Sequence, residues 1–246
     1  MALSRYYMAE RDFGKGKGIS IAQIDSGINE WHPHTGKIAG GAAFQVDAGG
    51  RILLTCDHTD QLGHGTAVAG VLNEQVPEAE LWSLKIFHDT LTAHIEVLCA
   101  AIEWCIEAKI DFINLSLGVR RDIGEFQQVC AQAAAAGVII VAACDEQNGL
   151  LWPGCYDSAF GVKAARQCTG ELFFYNPDEP VSFLASGLPR RLEGPMQKFN
   201  FQGHSFAAAH VTGLLAKLKE KFGVGSKQQM EACLLGLFGP VPVESG

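Results

Sequence analysis

Long apolar runs are missing from this sequence, and that absence excludes a membrane-spanning helix. The longest such run extends only from Gly137 to Cys144, whereas a helix needs about 20 apolar residues to cross a bilayer. The first residues, MALSRYYMAE, also lack the apolar stretch of a secretory signal. We therefore expect a protein that has no membrane partner and is not exported.

Positive charge is scarce as well. The chain has 19 Lys and Arg against 27 Asp and Glu, which gives a formal net charge of -8, and no basic cluster offsets that balance. This excludes a nucleic-acid-binding surface. With 246 residues, of which 48% are hydrophobic, the chain is long enough to bury a substantial core. We expect a single domain over residues 1–246.

Paired cysteine spacing is the third absence. The eight cysteines are scattered along the chain without a C-x-x-C motif. Several fall inside predicted helices or strands, where a thiol packs as a small hydrophobe. Reduced thiols indicate a cytoplasmic protein. The alternative is a mature secreted protein whose signal and propeptide have been removed.

Apolar segments of two periodicities alternate along the chain. They predict strands at about 18–24, 79–87, 110–118 and 138–143, and helices at about 66–72, 92–109, 125–136 and 205–221, with a glycine-rich turn at Gly40-Gly41. This alternation predicts a three-layer α/β fold, in which helices cover both faces of a mostly parallel sheet. Sites in such sheets gather beyond the carboxyl ends of strands, where Asp25, Ser116 and Asp145 are expected.

Three short segments carry the residue types of a nucleophilic relay. The segments are Ile24–Gly27, Gly63–Gly70 and Gly203–Gly213. They supply Asp25, His64 and Ser205. A histidine can take the proton of a serine hydroxyl, and an aspartate can hold the imidazole in the required tautomer. Each segment alone is ordinary, namely a turn aspartate, a loop histidine and a capping serine. Their occurrence together, in this order, favours catalysis.

In order and wording, these segments resemble the subtilisin-like serine proteases, the subtilases of peptidase family S8. That family typically has Asp-Thr/Ser-Gly, His-Gly-Thr-His-Val-Ala-Gly and Gly-Thr-Ser-Met-Ala-x-Pro. This chain departs from those motifs at Ala67, His204, Phe206 and Ala209. The resemblance covers residues 18 to 222, approximately. It implies a subtilisin-like fold and a Ser-His-Asp triad in which the serine attacks, the histidine is the base and the aspartate orients the histidine.

One departure from the family falls at the oxyanion hole. Members place an Asn after Ala-Ala-Gly to donate a hydrogen bond to the tetrahedral intermediate, whereas this chain has Asp145 after Ala142-Ala143-Cys144. The resemblance therefore implies an oxyanion hole of Asp145 and the backbone N–H of Ser205. An ionised Asp only accepts hydrogen bonds, so Asp145 would donate only with a raised pKa. Asn148 is the alternative donor. Three roles stay open for His204, which are donating to substrate, perturbing the base and only filling space.

A substrate-binding strand also follows from the resemblance. Ser116, Leu117 and Gly118 match the family's Ser-Leu-Gly, whose backbone pairs with an extended peptide or protein substrate. Asp60 matches the first residue of the family's Asp-x-x-Gly-His-Gly. We expect it to order the loop before His64, with a substrate contact as the alternative.

The resemblance also implies a first substrate pocket, on the wall of the site opposite the substrate-binding strand. Ala143 and Cys144 would line it, and Leu151 would form its floor, which suggests an apolar or medium-sized substrate side chain. Glu146 at the rim would instead favour a basic side chain. The two alternatives remain open at this point.

No cofactor is expected. Many subtilases bind calcium, so calcium is allowed by the resemblance, but the loops of this chain lack clustered carboxylates and do not support a site. His32 and His34 flank Pro33 without a third ligand nearby. The sequence therefore predicts no metal.

The activity implied is that of a serine endopeptidase of the cytosol, and maturation of a small peptide precursor is one role that its size allows. One alternative is a peptide cyclase or transpeptidase that uses the same acyl-enzyme. Another is a catalytically weak pseudoprotease that binds peptides, which the departures at Asp145, His204 and Ala209 suggest.

Overall fold

A computed structural model describes residues 6–9, 13–149 and 152–240 of the chain. Its strands form one sheet of eleven. In chain order they are β1 (Tyr6–Ala9), β2 (Ser20–Asp25), β3 (Ile38–Val46), β4 (Ile52–Thr55), β5 (Glu80–Lys85), β6 (Phe112–Leu115), β7 (Ile139–Ala143), β8 (Ala159–Ala164), β9 (Leu172–Tyr175), β10 (Phe183–Ala185) and β11 (Gly239–Pro240). The α-helices of the described chain are α1 (His64–Gln75), α2 (Ile95–Glu107), α3 (Gly124–Ala135), α4 (His204–Phe222) and α5 (Lys227–Leu237).

The middle of the sheet is parallel. Neighbouring strands from β10 through β8, β7, β6, β2 and β5 to β3 all run in the same direction. Antiparallel pairings extend the sheet on both sides, from β3 to β4 at one edge and from β10 through β9 and β1 to β11 at the other. The chain order reverses at β2, because β5 pairs with one of its edges and β6 with the other. Sites form beyond the carboxyl ends of parallel strands at such a reversal.

Helices cover both faces of the sheet, which confirms the predicted three-layer α/β fold. On one face α1 and α4 pack together, and α4 contacts β6, β7, β8 and β10. On the other face α2 and α3 pack together, against β2, β3, β4 and β7. A hydrophobic core lies on each face of the sheet, and alternate residues of β7 pack into the two cores. Ile139 and Val141 pack on the α4 side, and Ile140 and Ala142 pack on the other. None of the helices among the described residues is both long and apolar enough to cross a membrane.

Local glycine chemistry explains one error of the sequence pattern. Gly40 and Gly41 lie inside β3 instead of in a turn. A Cβ on Gly40 would come within 2.7 Å of the Trp82 ring. The missing side chain therefore lets β3 pair closely beside β5. The sequence pattern also did not predict helix α5. Only Met230 and Leu234 of that helix are buried, so its apolar periodicity is weak.

The cysteines agree with the predicted reduced state. No disulfide bond joins any of them in the described chain. Burial raises the pKa of Cys99, Cys130 and Cys168 to about 12, with smaller contributions from nearby glutamates at Cys99 and from the Cys99 thiol at Cys130. These thiols therefore stay protonated and unreactive at neutral pH.

The helix that carries His64 is docked on the end of β2 through a glycine. The N–H of Gly65 donates to Ser26 Oγ at 2.9 Å, and its carbonyl accepts from Gln23 Nε2 at 2.7 Å. A Cβ on Gly65 would lie 2.1 Å from the carbonyl oxygen of Gly27. The absence of a side chain at Gly65 is therefore a condition of this contact.

We expect Gly65→Ala to lower the free energy of unfolding by about 1–3 kcal/mol, because the added methyl group forces α1 away from β2. Gly70→Ala in the same helix is the matched control. Its Cβ would meet His34 Cβ only at 3.6 Å, so improved helix propensity should raise the free energy of unfolding by about 0.5–1 kcal/mol. Urea unfolding measures both changes, and equal changes in the two variants would contradict the close approach.

Candidate active site

Asp25 and His64 form a direct hydrogen bond at the carboxyl end of the sheet. Asp25 is the last residue of β2 and is fully buried, and His64 is the first residue of α1. Asp25 Oδ1 lies 2.8 Å from His64 Nδ1 and also accepts from the Ser26 N–H at 2.7 Å. A carboxylate at Nδ1 keeps the proton on that nitrogen, so the neutral imidazole presents Nε2 as a base.

Two carboxylates determine the protonation of His64. Burial lowers its pKa, but the hydrogen bond that His64 donates to Asp25, the charge of Asp25 and the charge of Asp60 outweigh burial and raise the pKa above its ordinary value. Asp25 Oδ2 is buried without a hydrogen-bond partner among the described residues. The imidazolium form of His64 would therefore act as a counterion for the Asp25 carboxylate.

Asp60 orders the loop in front of His64. Its Oδ1 accepts from Ser26 Oγ and from the N–H groups of Leu62 and Gly63, each at 2.9 Å. Its Oδ2 accepts from the N–H of Thr66 at 2.8 Å and from the Thr66 hydroxyl at 2.6 Å. The loop-ordering role that the sequence favoured for Asp60 accounts for all of these contacts.

Ser205 is the second residue of α4 and faces the same site. Its Oγ donates to the carbonyl oxygen of Ser116 at 2.9 Å, and the described residues include no hydrogen bond between Ser205 and His64. Both side chains line one cavity, and the Phe206 ring lies 6.0 Å from the His64 ring. Catalytic hydrogen bonds are often unformed without substrate. A rotation about the Cα–Cβ bond of Ser205 would release Oγ from Ser116.

The cavity beside Ser205 and His64 has a volume of about 670 Å³. The predicted substrate strand Ser116, Leu117 and Gly118 lines one side of it. Its apolar wall, which the sequence analysis did not assign, includes Ile86, Phe87, Leu91, Leu98, Val119 and Ile123. For Ile86, Phe87 and Val119 the signal in the sequence was their position shortly after β5 and β6, where the chain leaves the sheet, whereas Leu98 lies inside α2.

Asp145 lies two residues beyond the end of β7 and is held as an acceptor. It accepts from the N–H and from the side-chain Nδ2 of Asn148. Mainly because of the Asn148 side-chain hydrogen bond, the pKa of Asp145 is lowered below its ordinary value. A lowered pKa means an ionised carboxylate at neutral pH. These contacts oppose the protonated, donating form of Asp145 that an oxyanion role would require.

His204 lies beside that carboxylate. Its Nδ1 accepts from the Ala164 N–H at 2.9 Å, so the neutral ring carries its proton on Nε2, which is 3.6 Å from Asp145 Oδ2. Burial lowers the pKa of His204, and the charge of Asp145 only partly offsets that. Next to Ser205 there is thus a neutral imidazole whose N–H faces Asp145.

The other predicted pocket residues lie beside Asp145. Ala143 ends β7 and is 7% exposed, and Cys144 is fully buried. The Cys144 Sγ is 4.0 Å from Cys155 Sγ and packs against Gly154, so the thiol faces the interior and does not line the surface that a substrate would contact. Leu151, the predicted pocket floor, lies outside the described residues. Lys163 binds Glu146 Oε2 at 3.1 Å, which offsets the charge that would favour a basic substrate side chain.

A sequence model of the subtilase family matches residues 16–236. The chain belongs to the subtilase family. It is 30% identical to an intracellular serine protease of Paenibacillus polymyxa, over 84% of this chain and 68% of that protein. It is 31% identical to the major intracellular serine protease of Bacillus subtilis, over 83% and 69% of the two chains. The crystal structure of a cold-adapted subtilisin-like serine proteinase matches the fold with a TM-score of 0.71 at 18% identity, covering 91% of this chain and 83% of that one.

These similarities make this subtilase a serine protease, a hydrolase that acts on peptide or protein substrates. The fold implied by the sequence motifs is thereby confirmed. Within the described residues, no group of three or more His, Cys, Asp or Glu side chains could hold a metal ion. The expected absence of a metal in this subtilase remains a prediction.

The raised pKa of His64 predicts the pH profile of this subtilase. A general base must be neutral, so kcat/KM should fall as the pH drops through the pKa of His64, with a midpoint above the ordinary value of about 6.5. Asp25→Asn removes the main raising cause, and the midpoint should move down while the rate drops by orders of magnitude. Glu103→Gln on the exposed face of α2 is the control and should keep the wild-type midpoint. A midpoint that is identical in Asp25→Asn would contradict the coupling.

Proposed function

We propose that this subtilase is a serine endopeptidase in which Ser205 attacks the peptide carbonyl, His64 takes the proton and Asp25 orients and stabilises His64. The observation that carries the proposal is the 2.8 Å contact between Asp25 and His64 together with Ser205 on the wall of the same cavity. His64 gives that proton to the amine of the leaving peptide, which departs and leaves the acyl-enzyme. Water then opens the acyl-enzyme, with His64 accepting a proton from the water and returning it to Ser205.

Substrate binding releases the nucleophile in this proposal. The Ser116 carbonyl that accepts from Ser205 Oγ belongs to the strand predicted to pair with substrate. A backbone N–H of an extended peptide would take over that carbonyl. Ser205 Oγ would then turn to His64 Nε2, so peptide binding and assembly of the relay would occur together.

Oxyanion stabilisation is the weak part of the site. The backbone N–H of Ser205 lies in the first turn of α4, where the helix dipole favours negative charge. Asp145, held ionised by Asn148, adds a repulsive charge where the family has an amide donor. We therefore propose slower acylation than an amide at this position would allow, not loss of activity.

Three further parts of the proposal rest on separate observations. They are the preferred substrate side chain, the fate of the acyl-enzyme and the cellular compartment. The apolar cavity favours apolar side chains on the acyl side of the cleaved bond. Hydrolysis is favoured over transpeptidation because the His64 side chain is 17% exposed to solvent, whereas transfer to an amine requires exclusion of water. Cytoplasmic location is proposed because two relatives are named intracellular proteases. Maturation of a peptide precursor stays a prediction.

A fluorophosphonate probe tests the nucleophile and separates an enzyme from a pseudoprotease. The probe should label the wild type, with the adduct on Ser205 by mass spectrometry, and Ser205→Ala should not be labelled. Ser226→Ala, at the distant start of α5, is the serine control and should be labelled as the wild type is. Labelling that persists in Ser205→Ala would refute the assignment, and an unlabelled wild type would favour a peptide-binding pseudoprotease.

Asp145→Asn tests the oxyanion proposal. Replacing an ionised acceptor by an amide donor of the same shape should raise kcat on a neutral ester or peptide, since one such donor is worth about 10²–10³ in rate in related sites. We expect a smaller rise, of about tenfold, because Asn148, which now binds the Asp145 carboxylate, can also rearrange in the variant. His204→Phe serves as the comparison, since it removes the neighbouring N–H. A fall in kcat in Asp145→Asn would show instead that the carboxyl group of Asp145 assists catalysis.

A further inference from the structure

A second cavity lies on the other side of the candidate triad. It has a volume of about 1010 Å³ and shares no lining residue with the apolar cavity. One face of α1 and the glycine before it form its floor, through Gly63, Thr66, Ala67, Gly70 and Glu74. These positions recur at spacings of three and four and so lie in one row on the helix. We call this cavity the α1 groove.

The groove begins at the candidate base and leads away from it. Gly63 precedes His64, and Glu74 lies near the end of α1, so the floor is roughly 15 Å long at the usual rise per residue. Small residues on the floor leave room for a chain to lie along the helix. An extended peptide covers this length with about four or five residues.

The position of the groove assigns it to one half of the substrate. Ser116–Gly118 and the apolar cavity lie on the opposite side of His64 and Ser205. If the acyl half of a peptide pairs there, the leaving half passes over the catalytic side chains into the α1 groove. Phe201, which also lines the groove, is half exposed beside Phe206, with ring centroids 6.2 Å apart. It stands at the entrance from the catalytic side.

Two arginines line the groove. Arg190 Nη1 lies 2.6 Å from His34 Nε2, and its carbonyl accepts from Asn200 Nδ2 at 2.6 Å, which anchors this segment to the groove wall. Arg191 is exposed and has no hydrogen bond or ion pair within the described part of the chain. Because an arginine is always charged and presents a planar fork of donors, it suits a carboxylate.

The carboxylates of the groove do not cancel this charge. Asp60 already accepts five hydrogen bonds from protein groups on its two oxygens. Glu74 is exposed at the far end of the floor and forms no ion pair with Arg190 or Arg191 among the described residues. Among the described residues, neither carboxylate of the groove pairs with Arg190 or Arg191, so the two arginines leave positive charge on the groove wall that can bind an anionic group.

We propose that the α1 groove binds the leaving half of the substrate and that Arg190 and Arg191 bind a carboxylate on it, about four or five residues beyond the cleaved bond. This inference rests on the proposed function and specifies its substrate. The carboxylate is either an acidic side chain or the free carboxyl end of a short leaving peptide. Both sources present the same group to the arginines.

Internally quenched peptides test the proposal. All share one acyl half, and Glu or Gln is placed at each of the first six positions after the cleaved bond, with an amidated end. Wild type should cleave the Glu peptide about 3–10-fold better in kcat/KM at the fourth or fifth position, as a partly exposed charge pair allows. A second set, with leaving halves of four or five residues ending in a free acid or an amide, tests the terminal carboxyl group.

The variants compare ratios within one protein, so a general loss of activity does not affect the result. In Arg191→Gln the Glu-to-Gln ratio should fall towards one, and Arg191→Lys should restore part of it. Arg121→Gln is the matched control, because Arg121 belongs to another adjacent arginine pair that lines the apolar cavity across the triad. It should retain the ratio of the wild type.

Binding separates failure of this inference from failure of the proposed function. Fluorescence anisotropy with Ser205→Ala measures the affinity of labelled leaving-half peptides without cleavage. Tighter binding of the carboxylate form, lost in Ser205→Ala/Arg191→Gln and weakened by salt, supports the groove even if wild type cleaves no peptide. Equal binding of both forms, combined with a Glu-to-Gln ratio near one at all positions, overturns the proposal. Equal binding combined with a raised ratio that persists in Arg190→Gln/Arg191→Gln overturns it as well.

Discussion

The contact between the end of β2 and the start of α1 is the constraint on which the candidate site depends. It places Asp25 and His64 2.8 Å apart although they are 39 residues apart in the chain. Gly65 makes the contact possible because it has no side chain to strike Gly27. Asp60 holds the loop at five hydrogen-bond donors. The geometry of the base is therefore set by backbone packing.

The order of strands brings the remaining parts to the same place. Because β5 and β6 flank β2, the chain that leaves β6 at Ser116 lies beside the end of β2. Helix α4 crosses the same region from one face of the sheet and presents Ser205 at its first turn. The hydrogen bond between Ser205 and the Ser116 carbonyl joins the proposed nucleophile to the predicted substrate strand, and in the proposed mechanism this contact links peptide binding to the release of Oγ.

The two cavities beside the candidate triad differ in their walls. In the proposed mechanism, the acyl side is a largely apolar cavity that also has Arg120 and Arg121 on its lining, and the leaving side is the α1 groove, with Arg190 and Arg191 on its wall and small residues of α1 on its floor. Between them, Asp25 favours the imidazolium form of His64. Asp145, whose pKa is lowered, occupies the position that the family resemblance assigns to the oxyanion hole, and in the proposed mechanism its charge disfavours the intermediate.

The sequence by itself determined the fold class, the family and the candidate relay, because strand and helix periods and the motifs around Asp25, His64 and Ser205 are local properties of the chain. Tertiary structure alone decided which groups meet. Ser205 and Ser116 are 89 residues apart, the ionisation of Asp145 depends on how its loop folds back through Asn148, and β3 accepts Gly40 because Trp82 covers it. No sequence pattern assigns a role to the Arg190-Arg191 pair, and only the fold places the pair on the wall of the α1 groove. Hydrogen bonds and charges act over a few ångströms, and only the folded chain sets those distances.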